Sequence, residues 1–393
     1  MKREDGTEDL LSRLERNPLP LYLLDTVDEL LKLAWFTRVW VIVEVCLAPE
    51  VSISCGSETM ITWNDLVGMI EHCASRSRTT SQLQPSPLGN PRQRIAIITD
   101  IMARQKRGML QTDIGQLLIL AKSSNATDDR DKIYAFYGLT LINSRPDYER
   151  SVEGLYIDTA VNYIKSTEEG HGNTDLSGPT RTFQLMSMLY NAGALHQHYT
   201  LPSWVPDWTH AYHLTPFWAK TSAILPHEPS SDAWTASIRR EYRAGGDHRT
   251  KFQIRGGDGG PQLCVSAMML DTVTSTSERA GPQTPTLDIK SHDRSSRAAS
   301  DHLEPDSTAE CGRVFVQFLH GSTGLATSGV RHGDVLAVLL GADVPFILRP
   351  VPSREPEYNS YNLLCECFVH SHRVMFGDTI RGGDMAVEDI LFV

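Results

Sequence analysis

The sequence predicts an α+β fold. Apolar residues recur at helical spacing between about residues 34 and 195, whereas short β-prone runs separated by Gly, Asp and Pro fill the stretch from 311 onward. The two patterns are segregated along the chain and do not alternate, which distinguishes α+β from a parallel α/β arrangement. At 393 residues the chain has room for about two or three domains. It can bury a sizeable core without disulfides or metals.

The first zone, 1–63, opens with a charged lead. Thr26, with Glu29 three residues on, forms a capping-box pattern. Phe36, Val39, Trp40, Val43, Cys46 and Leu47 then recur at helical spacing, and Trp35, Ile42 and Val45 fill the other sides. This helix is expected to be buried nearly all round, with Pro49 stopping it. Residues 51–56 alternate as a short strand.

The second zone, 64–200, is expected to be helical. Thr62 and Asp65 form a second capping pair, ahead of a stripe of Leu66, Met69, Ile70, Cys73 and Ala74. Residues 75–91 read as a loop rich in Ser, Thr, Pro and Gly. Further helices are expected near 92–106, 112–122, 130–139, 151–166 and 180–195, with a polar connector at 168–179.

The third zone, 201–273, is aromatic and turn-rich. It holds Trp204, Trp208, Trp218 and Trp234 and closes on a strand at 263–265. Residues 274–310 have the composition of a disordered insert. The fourth zone, 311–393, carries β-prone runs at 314–316, 335–340, 345–348 and 363–369. It reads as a small antiparallel sheet or partial barrel.

Charge and apolar runs narrow the functional classes. Against 37 Lys and Arg stand 48 Asp and Glu, a formal charge of −11, opposite to the basic field of a general nucleic-acid binder. The amino terminus lacks an apolar stretch of signal-peptide type. The most apolar run, 39–48, is about half of what spans a bilayer, and Glu44 interrupts it. The chain is therefore expected to be cytoplasmic, with no nucleic-acid or membrane partner. Seven cysteines, an odd number, do not form a secreted disulfide framework.

Five clusters invite a chemical reading. Cys365, Cys367, His370 and His372 carry zinc-type ligands. In an unbroken strand, however, the cysteines face one way and the histidines the other, so buried thiols and exposed imidazoles are expected and no metal. His196 and His198 read as a surface pair. The glycines of 256–260 precede Pro261 and a strand, not the helix a phosphate loop needs, and point to a hairpin turn. Gly321, Ser322, Thr323 and Gly324 fall one residue short of a nucleophile elbow. Residues 128–132 place acidic groups at a helix start, where they meet the helix dipole favourably.

Glu44 is the remaining candidate. A carboxylate in a buried helix is costly unless paired or hydrogen-bonded. It is read either as structural, in an ion pair or hydrogen-bonded to nearby backbone, or as a catalytic carboxylate with a perturbed pKa.

Several segments together resemble the fungal heterokaryon-incompatibility (HET) family. Residues 35–48, Trp-Phe-Thr-Arg-Val-Trp-Val-Ile-Val-Glu-Val-Cys-Leu-Ala, resemble the last block of the HET domain. Residues 128–139 resemble its Asp-Pro-Arg-Asp-Lys segment, with Asp129 in place of the proline. Asp147 and Tyr148 with Ser151, Val152 and Tyr156 resemble the tyrosine-bearing segment that follows. Residues 201–208, Leu-Pro-Ser-Trp-Val-Pro-Asp-Trp, are close to the family's Pro-Ser-Trp-Val-Pro-Asp-Trp. Gly333, Asp334 and Val335 and residues 345–350 resemble its carboxy-terminal sheet.

The resemblance begins at the family's last HET block, so residues 1–63 are expected to be the remnant of a HET domain whose upstream blocks are missing. It implies a role in fungal allorecognition and programmed cell death, with protein partners, no cofactor and no catalysis of the chain's own. HET domains have been likened to TIR domains, some of which cleave NAD. The alternatives are therefore an NAD-hydrolysing effector using Glu44, or a regulatory or passenger protein of a fungal gene cluster. Val43 stands where relatives carry glutamine, and the resemblance implies that a nucleotide pocket would need the upstream blocks. No NAD hydrolysis is expected.

Overall fold

The computed structural model describes residues 27, 29–55, 59–77, 91–107, 114–140, 145–169, 185–209, 217, 220–221, 238–239, 242–248, 251–257, 259–277, 313–353, 357–382 and 386–393. Helices and strands are both abundant, with a β-rich carboxy-terminal sheet, as α+β requires. The chain forms two compact units, Met1–Pro146 with Thr221–Arg239 and Asp147–Lys220 with Arg240–Val393. This division falls at neither 63 nor 200, because the 152–169 helix and the 201–208 segment are built into the same unit as the carboxy-terminal sheet. Among the described residues no helix is long and apolar enough to cross a membrane.

The first unit is helical. Its elements are α1 (Ala34–Thr37), α2 (Val39–Leu47), α3 (Trp63–Ser77), α4 (Pro91–Lys106), α5 (Ile114–Lys122) and α6 (Asp131–Tyr134). The strands β1 (Ser52–Cys55) and β2 (Thr59–Thr62) form a two-stranded antiparallel ribbon between α2 and α3. The Thr62 box forms as expected: its Oγ1 accepts from Asp65 N–H at 3.1 Å, while Asp65 Oδ2 accepts from Thr62 N–H at 2.9 Å. The Thr26 box lies outside the described residues. The helix expected over 130–139 is instead the single turn α6 followed by a 3-10 turn at Tyr137–Leu139.

The core of this unit joins Val39, Ile42 and Val45 of α2 to Ile95, Ile98 and Ile101 of α4 and Leu117 and Ala121 of α5, all buried. Each of these Val, Leu and Ile side chains stabilises the fold by roughly 1.5–3 kcal/mol. Trp63 anchors α3 by donating from Nε1 to Thr99 Oγ1 at 3.0 Å.

The second unit opens with α7 (Val152–Glu169), which Ser151 caps by accepting from Gly154 N–H at 3.1 Å. Residues 185–190 form a further helix, α8, which ends at Tyr190 and not at the expected 195; residues 180–184 lie outside the described residues. Then come β3 (Gln253–Gly257), β4 (Gly260–Ser277), β5 (Val314–Phe318), β6 (Thr323–Ala326), β7 (Val335–Leu339), β8 (Phe346–Val351), β9 (Asn359–Glu366) and β10 (Phe368–Val369). Two short helices, α9 (His372–Met375) and α10 (Asp378–Arg381), lead to β11 (Val387–Phe392).

These strands close into a barrel. One edge of β4 pairs with β11, from Leu263↔Phe392 to Met268↔Val387. Its other edge pairs with β7, from Ala267↔Leu339 to Thr272↔Val335. β7 pairs with β8, β8 with β9, and β9 with β11 in parallel, which completes the ring. Past a bulge near Val273, β4 leaves the ring and pairs with β5, beyond which lie β6 and β10.

β4 can serve two sheets because it is 18 residues long. Bulges at Met269/Asp271 and Val273/Ser275 bend it, as an extra residue on one strand does. Residues 274–277, expected within a disordered insert, therefore continue this strand, and the rest of that insert lies outside the described residues. The hairpin expected at the 256–260 glycines joins β3 to β4, with Gly257 paired to Gly260.

Candidate functional site

Glu44 is solvent-exposed, which corrects the expectation that α2 is buried nearly all round. The helix buries Val39, Val41, Ile42, Val45 and Cys46. Trp40 and Val43 are half-buried, while Glu44 and Leu47 point to solvent. The apolar outer positions hid the one-sided packing. The premise of a buried carboxylate falls, because an exposed one keeps its water.

The polar groups of this unit gather instead around the end of α5. Arg94, 3% exposed, reaches from α4 and donates from Nη2 to Arg38 O at 2.8 Å and from Nη1 to Ser124 Oγ and Ser123 O. Lys132, also buried, donates from Nζ to Ala121 O at 3.0 Å and to Ser124 O. Lys132 thus meets the carboxy end of α5, where the dipole is negative, and Arg94 joins the residues just beyond it to Arg38. Burial pulls the Arg94 pKa down to about 10, so its guanidinium stays charged at neutral pH.

Asn125 completes the junction: its N–H donates to Thr37 O and its carbonyl accepts from Val39 N–H at 2.9 Å. Next along the chain, Asp128 takes a bidentate grip on Arg130, at 2.9 and 2.8 Å. That hydrogen bonding holds the Asp128 carboxyl below the usual range. Asp131 accepts from Trp40 Nε1 at 3.0 Å and so ties α6 to α2. Residues 128–132 are thus a helix start fastened by its charges, and Asp131 finds its partner on α2.

In the second unit, the 201–208 segment is part of the core. Trp204 and Trp208 are 0% and 1% exposed. Trp208 meets Tyr156 of α7 edge-on at 4.9 Å, and Trp204 Nε1 donates to Pro261 O at 3.3 Å. Asp207, also buried, accepts four hydrogen bonds. Its Oδ2 takes the N–H groups of His198 and Tyr199, and its Oδ1 takes the N–H and Oγ1 of Thr209. Burial raises the Asp207 pKa, but these bonds outweigh it and the net shift is downward.

Ser203 reaches the barrel. Its N–H donates to Val393 O at 2.8 Å, and its Oγ accepts from Leu363 N–H at 2.9 Å. The β9–β11 ladder ends at Tyr361↔Phe392, so Ser203 supplies the acceptor that β11 no longer offers to β9.

A buried ion pair joins the residue before β5 to the end of β9. Arg313 Nη2 donates to Glu366 Oε1 at 2.7 Å, with the two side chains 1% and 10% exposed. Glu366 also accepts from Phe217 N–H at 3.0 Å, and the Arg313 guanidinium lies 3.6 Å above the Phe217 ring. Another pair, Arg349 and Asp334, forms two parallel bonds of 2.8 and 2.9 Å and braces the turn before β7.

Cys365 and Cys367 are buried, and burial pushes both thiols up. Unionised thiols are poor metal ligands and poor nucleophiles. His370 leaves the strand and meets Thr323 Oγ1 at 3.2 Å, whereas His372 starts α9 and stacks on Phe376 at 4.2 Å. Among the described residues no three or more His, Cys, Asp and Glu gather in a way that could hold a metal ion. His198 is exposed; the side chain of His196 lies outside the described residues. The 321–324 glycines form the β5–β6 hairpin turn, with Gly321 at φ +88°.

Sequence reasoning passed over Arg94, Arg313, Glu366 and the capping role of Asp207. Only Asp207 carried a local signal, an Asp two residues before a Thr, the spacing of an Asx turn. No protein-family model, curated protein or solved structure matches the chain.

Proposed function

We propose that this chain is a HET-family protein of fungal allorecognition and programmed cell death that acts through contacts with protein partners and not through catalysis of its own. The family part of the reading rests on the segments at 35–48, 128–139, 147–156, 201–208, 333–335 and 345–350, taken in that order. The observation behind the non-catalytic part is what those segments spend their polar side chains on. Asp131 holds Trp40, Arg130 holds Asp128, Asp207 caps its own loop, Ser203 completes a ladder, and Asp334 holds Arg349. Glu44, the remaining candidate carboxylate, is exposed, whereas a catalytic group has to be held in place to act.

The test is inducible expression in a filamentous fungal host of the chain and its Glu44→Ala variant, with NAD consumption measured on the purified proteins. The reading expects no NAD turnover and the same viability with either version. NAD hydrolysis or cell death that disappears with Glu44→Ala would overturn the non-catalytic reading.

A further inference from the structure

We draw no further inference here: the strongest candidate, the exposed apolar side chains Leu33, Trp35 and Leu47 on the α1–α2 segment, carries nothing because nothing in the structure shows what covers them.

Discussion

Replacing Ser203 by alanine removes one oxygen and hardly any volume, so the change isolates a single hydrogen bond. Ser203 is 2% exposed. The Leu363 N–H that it accepts lies past the last β9–β11 pair, and Leu363 itself is fully buried. Without Oγ the N–H stays out of water with no acceptor, which costs about 1–3 kcal/mol. For a unit of this size each kcal/mol corresponds to roughly 2–4 °C in Tm, so a loss of about 4–8 °C is expected near the middle of that range. Urea unfolding should show a lower midpoint at unchanged slope, since the exposed surface is the same. Hydrogen exchange read at the Leu363 amide should accelerate more than at its strand neighbours. Ser328→Ala, at an exposed turn position, serves as the control and should stay within about 0.5 kcal/mol. If Ser203→Ala matches that control and Leu363 exchange is unchanged, Ser203 does not complete the ladder.

Three other changes probe different parts of the fold. At Gly245 an added Cβ would lie 2.3 Å from Leu339 O and 2.4 Å from Ala342 N. These are backbone atoms that cannot swing aside, so Gly245→Ala should lose about 3 kcal/mol or more, visible as poor soluble yield or a sharply lowered urea midpoint. Trp40→Phe deletes the bond to Asp131 and should destabilise the first unit by about 1–3 kcal/mol; a chemical melt followed by far-UV circular dichroism would detect it, and an unchanged midpoint would count against the α2–α6 tie. The pKa of Asp207 is lower in the folded state than the roughly 3.9 of an unfolded aspartate. Its stabilisation is therefore fully present above the unfolded value and fades as pH falls through the folded one. Thermal melts between pH 6 and pH 3 should show a steeper acid loss for the native chain than for Asp207→Asn, and equal slopes would refute the assignment.

Local chemistry was the legible part of this sequence. The Thr62–Asp65 box and the 256–260 hairpin follow from residues within a turn of one another, and each forms; the stripe read from Phe36 to Leu47 does not lie on one helix, because Arg38 is extended between α1 and α2 and the buried face runs through Val39, Ile42, Val45 and Cys46. The α+β class followed from the same periodicities. Barrel closure was not legible, because it depends on which strand meets which. Ser266 of β4 and Asp389 of β11, hydrogen-bonded to each other, are 123 positions apart, and nothing in either strand's pattern names the other. The exposure of Glu44 was hidden for another reason. The other eight residues of α2 are all apolar, so its sequence has no polar stripe to mark the outer face. Arg94 and Lys132 look like ordinary surface cations in the sequence, and only the approach of the α5 carboxy end explains their burial.

The parallel contact between β9 and β11 also bears on the order of events during synthesis. β11 comes after every other strand of the ring, and it alone bridges β9 and β4. A nascent chain that has already made β4 through β9 therefore carries two unsatisfied edges until β11 emerges. Pairings this distant in sequence form slowly, and open strand edges invite partners from other chains. The ring closes last and from one end, which makes the interval before β11 arrives the period in which this protein is most exposed to misassembly.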